Sequence, residues 1–260
     1  MTVVAGVDVG SLSTEVVLMG KDKNYQYAIV ATGANSKTAA QKAMDEALKQ
    51  VGQKTEEIIF TLATGYGRIS IPFADKRVTE ITCHGKGAHY LFPSSSTVID
   101  IGGQDSKVIR ITPQGGKVVD FVMNEKCAAG TGRFLEVMAQ SLEVALDDMG
   151  RLSSEAGNSV PISSMCTVFA ESEVVSLIAE GHPVKEIIRG IHDSVADRTL
   201  GMVNRVGLEE EVVMTGGVAK NNGVVECLQN RLGTTLNIPE EPQIVGALGA
   251  ALLAHQEAFS

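Results

Sequence analysis

The sequence predicts an α/β protein of two similar lobes facing one cleft, and three observations carry the prediction. A strand–Asp-x-Gly-turn–strand–turn–strand pattern occurs twice: Asp8, Gly10 and Thr14 of the first copy align with Asp100, Gly102 and Ser106 of the second, 92 residues further on. An internal duplication of this kind fixes architecture before any single element does. Short apolar runs of strand length alternate along the chain with amphipathic stretches at helical spacing. A third glycine loop, Thr215-Gly216-Gly217-Val218-Ala219-Lys220-Asn221, stands between an apolar run and a helical pattern.

Taken in order, residues 3–9 form an apolar strand running into the first loop, and 15–19 a second strand. After the polar turn 20–24, residues 25–31 alternate like a third strand. Residues 36–51 carry Ala40, Ala43, Met44, Ala47, Leu48 and Val51 on one face of a helix that Gly52 closes. Strand 58–62 enters the loop Thr64-Gly65-Tyr66-Gly67, and between 69 and 90 the pattern is mixed, with helix expected after Thr79. The second copy gives strands 97–101, 108–111 and 117–123.

Two cysteine stretches follow, Asn124-Glu125-Lys126-Cys127-Ala128-Ala129-Gly130-Thr131-Gly132-Arg133-Phe134 and Pro161-Ile162-Ser163-Ser164-Met165-Cys166-Thr167-Val168-Phe169-Ala170-Glu171. Each leads into helical spacing: Phe134, Met138, Leu142 and Ala145 after the first, Phe169, Leu177 and Ile178 after the second. Thr131 and Thr167 are the expected N-caps, and Gly181 before Pro183 is a stop. Helices 184–203 and 222–232, strands 211–214 and 235–238, and an Ala- and Leu-rich helix over 243–258 follow.

Composition narrows the function. A length of 260 residues with 44% hydrophobic content supports one large or two small domains. The net charge of −9 argues against nucleic acid or an anionic membrane as partner. Trp is absent and aromatic content is 4%, so a base-stacking platform is not expected. The apolar start is interrupted by Asp8, and no run reaches the roughly 18 residues of a membrane span. A cytoplasmic protein without a signal peptide is expected, with Cys83, Cys127, Cys166 and Cys227 reduced. His84, His89, His182, His192 and His255 show no metal-ligand spacing and read as surface or core residues.

The glycine loops suit a nucleotide. Gly10, Gly102 and Gly103 let backbone N–H groups approach phosphate oxygens, and Ser11, Ser13 and Thr14 add hydroxyl donors. Asp8 and Asp105 at strand ends can hold Mg²⁺ through water, and Gln104 can position an attacking water. A single Asp-x-Gly is better read as a hairpin turn, but two copies in register with Gly216-Gly217 reverse that reading. Together the three motifs resemble the actin, Hsp70 and sugar-kinase ATPase superfamily: 8–14 its first phosphate loop, 100–107 its second, 215–221 its adenosine loop. The resemblance implies a duplicated ribonuclease-H-like fold closing on ATP or ADP with Mg²⁺. Its first lobe would cover 1–95, completed by the C-terminal helix over about 243–260, and its second 96–242. Leu12, Val218 and Lys220 would join the loop residues around the nucleotide, with Asp8, Gln104 and Asp105 catalytic.

No Cys-x-x-Cys is present, so a complete metal site within one chain is poorly supported. A [4Fe–4S] cluster wants four thiolates, and two from each subunit of a C₂ dimer would supply them. On spacing alone, Cys127 and Cys166 read more readily as small buried hydrophobes. The first cysteine stretch and the three glycine loops together resemble the activators of 2-hydroxyacyl-CoA dehydratases, most nearly the (R)-2-hydroxyglutaryl-CoA branch. That family includes the ATPase subunits of benzoyl-CoA reductase. The resemblance implies a homodimer with one [4Fe–4S] cluster ligated by Cys127 and Cys166 of each subunit. It also implies ATP-driven donation of one low-potential electron to a separate dehydratase, with reduced ferredoxin or flavodoxin as the source. The alternative is a small-molecule kinase of the same superfamily, acting on a sugar or carboxylate, for which no acceptor-site motif is visible.

Overall fold

The computed structural model describes residues 2–163 and 166–259; Ser164 and Met165 of the second cysteine stretch lie outside them. The first copy of the repeat gives β1 (Val3–Val9), β2 (Ser13–Gly20) and β3 (Tyr25–Ala31), followed by α1 (Ser36–Val51), β4 (Ile58–Thr64), the two-residue β5 (Lys76–Arg77) and α2 (Glu80–Leu91). The second gives β6 (Thr97–Ile101), β7 (Ser106–Ile111) and β8 (Val118–Asn124), then α3 (Gly132–Ser141), α4 (Met149–Ser154), α5 (Thr167–Ala179), α6 (Val184–Val206), β9 (Val212–Thr215), α7 (Asn222–Leu232) and β10 (Leu236–Asn237). Helix α8 (Val245–Phe259) is the last element.

The duplication is visible in the strand order. One sheet runs β3-β2-β1-β4-β5 and the other β8-β7-β6-β9-β10, the same order element for element. In each, the first strand pairs antiparallel with the second and parallel with the fourth. The central strands are mostly apolar because both faces are covered; every residue of β1 and β6 is buried, Asp8 and Asp100 near their C-terminal ends included. Helix α1 covers one face of the first sheet with Ala40, Ala43, Met44 and Leu48. Asn35 caps its start through Thr38 N, and Gly52, at φ 63°, closes it in the left-handed region that glycine enters without strain. Helix α8 packs against β1, β2 and β4 and crosses α2. A Cβ on Gly6 would stand 2.1 Å from the Ala247 carbonyl oxygen, so glycine at that place in β1 is what lets α8 approach.

Three expectations shift. Cys166, not Thr167, is the N-cap of α5, and Thr131 caps α3 without a side-chain bond to its backbone. Helix α3 ends at Ser141, so Ala145 lies outside it, because Glu143 turns into the positive-φ region at 55°. On α5 the buried residues are Ala170 and Val174, while Val168, Phe169, Val175 and Ile178 are exposed. The short α4 and β5 had no counterpart in the sequence reading, being too brief to show a period. Among the described residues no helix is long and apolar enough to cross a membrane.

Candidate functional site: the cleft between the two sheets

A cavity of about 1520 Å³ lies between the two sheets and is lined from both. It collects Asp8, Gly10, Ser11, Leu12 and Ser13 from the first loop, Gly102, Gly103, Gln104 and Asp105 from the second, and Gly216, Gly217, Val218 and Lys220 from the third. Thr14 is not among the lining residues. Side chains alternate across a strand, so Ser13 and Glu15 face the cavity while the buried Thr14 hydroxyl turns to Thr32 Oγ1 at 2.8 Å.

The two Asp-x-Gly loops are closed by the same bond. Gly10 N donates to Ser13 O at 2.9 Å, and Gly102 N to Asp105 O at 3.0 Å. The second loop is also tied outward: Gly132 N and Arg133 N, at the start of α3, donate to Gly102 O and Gly103 O at 2.9 and 2.8 Å. In the third loop Gly216 takes φ 84°, and a Cβ there would stand 2.3 Å from Ile101 O. Both its conformation and the strand beside it therefore require glycine. Asn221 caps α7 by accepting from Gly223 N and Val224 N. Lys220 Nζ reaches Gln243 Oε1 at 2.6 Å, and Gln243 Nε2 reaches Ser13 Oγ at 3.3 Å, so a side-chain bridge joins the third loop to the first.

The charges of the cleft floor form one connected group. Lys107 Nζ lies 2.9 Å from Asp100 Oδ2, 2.8 Å from Asp105 Oδ1 and 3.2 Å from Glu80 Oε2. Its side chain is only 2% exposed. His84, on α2, stands between the lobes: its Nδ1 is 3.4 Å from Asp100 Oδ1 and its Nε2 3.8 Å from Asp8 Oδ2. Thr215 Oγ1 donates to Asp100 Oδ1 at 2.8 Å. Burial pushes the Asp8 carboxyl up to about 6 against the pull of His84, and burial beside Asp8 pushes Glu15 well above the usual carboxylate range. Burial would also raise Asp100, but His84, Lys107 and the bonds from Lys107 and Thr215 hold it far below that range. Burial would lower Lys107, and its three carboxylate neighbours more than reverse this.

His84, Glu80, Glu15 and Gln243 were not singled out from the sequence, and Lys107 only as part of a loop. His84 is buried, as the surface-or-core reading allowed, but it sits at the cavity. The signal available for Glu15 and Lys107 was their equal offset from Asp8 and Asp100.

The four cysteines divide by environment. Cys83 and Cys227 are buried, and burial pushes both thiols up to about 12. Cys127 is half-buried and Cys166 exposed, and neither lines the cavity. Cys127 lies in the short connection between β8 and α3, where Asn124 Nδ2 donates to its carbonyl at 2.8 Å. No group of three or more His, Cys, Asp or Glu side chains converges as a metal site among the described residues. A metal cluster on the two accessible cysteines would therefore need ligands from outside the chain. A divalent cation in the cleft would complete its shell from nucleotide and water, as Mg²⁺ commonly does.

Comparison with known proteins identifies the relatives. The activator of lactoyl-CoA dehydratase from Anaerotignum propionicum is 50% identical over 253 residues, covering 97% of each chain. The crystal structure of (R)-2-hydroxyglutaryl-CoA dehydratase component A from Acidaminococcus fermentans superposes with a TM-score of 0.95 at 45% identity, covering all of both chains. The activator of the 2-hydroxyisocaproyl-CoA dehydratase from Clostridium difficile, with bound ADPNP, gives 0.93 at 41% identity, covering 99% of this chain and 96% of the other. A ROK family glucokinase from Streptomyces griseus, at 14% identity and a TM-score of 0.60, shares the fold alone, over 98% of this chain and 99% of its own. Residues 5–254 match the BadF/BadG/BcrA/BcrD ATPase family. A duplicated sheet, two matching Asp-x-Gly loops and a third glycine loop around one cleft thus have a common owner: the chain belongs to the BadF/BadG/BcrA/BcrD ATPase family and is an ATPase.

Proposed function

We propose that this ATPase activates a 2-hydroxyacyl-CoA dehydratase by donating one low-potential electron to it. It would do so as a cytoplasmic homodimer that holds one [4Fe–4S] cluster through Cys127 and Cys166 of each subunit and takes electrons from reduced ferredoxin or flavodoxin. The names of the relatives support the activator role. In this reading the lobes are 1–95 with 243–260, and 96–242. The cluster supplies one-electron redox chemistry; the remaining steps belong to the chain. The glycine loops hold the phosphates, Asp8 takes the Mg²⁺ shell, and Asp105 and Gln104 orient the attacking water.

The observation that carries the reading is the suspension of Cys127 between nucleotide-binding elements. Its connection starts at β8, paired with β7 of the second loop, and ends at α3, whose first N–H groups bond to Gly102 and Gly103. A shift of that loop on hydrolysis has a bonded path to Cys127. Cys166 is the N-cap of α5, at the end of that helix whose partial positive charge favours an anionic cluster. The exposed Val168, Phe169, Val175 and Ile178 of the same helix offer an apolar face for a second subunit.

Anaerobically purified protein should carry about four iron and four acid-labile sulfide per dimer, the stoichiometry of a single [4Fe–4S] cluster. Cys166→Ala should lose both while keeping nucleotide binding. Iron-free protein after cluster reconstitution, or full iron in Cys166→Ala, would overturn the ligand assignment.

A further inference from the structure

The two halves of the duplication carry opposite charges at one equivalent position. Asp8 on β1 faces Glu15 on β2, and Asp100 on β6 faces Lys107 on β7, in the same antiparallel register. The fold thus sets an acid in the first lobe where it sets a base in the second, and all four side chains line one cavity. The base is committed. Its ammonium lies within 3.2 Å of Glu80, Asp100 and Asp105, with almost no exposed surface. In the first lobe, no lysine or arginine forms an ion pair with Asp8 or Glu15 among the described residues; the neighbouring base is His84, 3.8 Å from Asp8.

We propose that Lys107 is a positioning residue for the nucleotide: a built-in cation that occupies Asp100 and Asp105, so that a single divalent cation enters with the nucleotide and is left to the first lobe, at Asp8 and Glu15. The inference rests on the reading of the cleft as a Mg²⁺–nucleotide site. Its physical basis is charge. Without Lys107, five carboxylates (Asp8, Glu15, Glu80, Asp100 and Asp105) would surround an incoming polyphosphate. The cleft would then either reject the nucleotide or take a second Mg²⁺ in place of the ammonium, as two-metal phosphoryl-transfer sites do. With Lys107 in place, Glu80, Asp100 and Asp105 are paired to a fixed ammonium, which reduces their repulsion of the phosphates without a metal from solution.

The test is ADP binding to the full-length protein, measured by calorimetry across a range of free Mg²⁺. The wild type should show a Mg²⁺ dependence of first order. In Lys107→Gln, Mg²⁺-free affinity should fall by about 100-fold or more, the scale of leaving buried charges unpaired. Saturating Mg²⁺ should restore it to within about tenfold of wild type, with the dependence approaching second order. Lys107→Arg should keep the first-order dependence. If Lys107→Gln does not fold, the double variant Asp100→Asn/Lys107→Gln removes a carboxylate with the base; it should bind ADP with a Mg²⁺ dependence steeper than wild type. Equal loss with and without Mg²⁺, no loss in Lys107→Gln, or a first-order dependence in the variant that folds would overturn the Lys107 assignment alone. ADP binding by the wild type that ignores Mg²⁺ would remove the metal reading, and this inference with it.

Discussion

His192 on α6 has no exposed surface and lies beneath the third glycine loop, with Asn221 Nδ2 at 3.3 Å from its Nε2 and its Nδ1 without a hydrogen-bond partner among the described residues. Burial, aided by the nearby Arg189, pulls the imidazole down from 6.5 to about 4. A depressed folded value means that its contribution is present above 6.5 and is lost as pH falls toward 4, because the unfolded chain takes the proton first. The displacement corresponds to about 3 kcal/mol. Urea melts at pH 7 and pH 4 should therefore show a smaller acid-induced loss in His192→Gln than in the wild type, by about that amount. Equal losses would show that His192 takes up its proton over the same pH range in the folded and unfolded chain. At this scale the sequence exposed residue type but not environment. The cysteines look alike in sequence, whereas burial separates Cys83 and Cys227 from the half-buried Cys127 and the exposed Cys166 directly. Thr14 looked equivalent to Ser13 in the loop motif; strand alternation sends its hydroxyl away from the cavity.

Among elements, α2 and α8 cross through glycine. A Cβ on Gly249 would stand 1.8 Å from Cys83 O, and one on Gly87 2.2 Å from Val245 O. Gly246 meets Asp8 Oδ2 and His84 in the same way, so the crossing also sets the floor of the cleft. Gly249→Ala should destabilise by about 3 kcal/mol, since rigid backbone must move. Gly201→Ala, on α6 with nothing within 4 Å of the added atom, should stabilise by about 0.5–1 kcal/mol through helix propensity. Comparing the two in urea denaturation separates packing from propensity; similar effects would refute the close crossing. Long periodic elements were legible to the residue: β1, β3, α1 and α7 fall where their patterns put them. The six-residue α4 and the two-residue β5 were not, because they owe their form to neighbours. Helix α5 shows the opposite case. Its apolar positions are real, yet Phe169 and Ile178 face outward within one chain.

For the whole molecule, the informative link is between cleft and cysteine. The loop carbonyls that hold α3 are those of Gly102 and Gly103. Saturating ADP should therefore slow amide hydrogen exchange in the loops at 10–14 and 102–106, and also across 125–133 around Cys127. Protection confined to the loops would break the proposed coupling between nucleotide and cysteine. At the same scale, the buried acids Asp8, Glu15 and Asp100 gather at one cavity, where a cation and a phosphate can meet.

The sequence alone determined the duplication, because two copies of Asp-x-Gly at matching offsets can fold only into matching strand–turn–strand units. It also determined the glycines of the loops, among which Gly216 has both a φ and a close approach that no other residue allows. Only the tertiary structure decided which charges meet. Glu15 comes from β2, Glu80 and His84 from α2 and Lys107 from β7, and their proximity arises when two sheets and the crossing of α2 with α8 close on one cavity. Contact between residues distant in sequence is a property of packing, which a linear pattern does not encode.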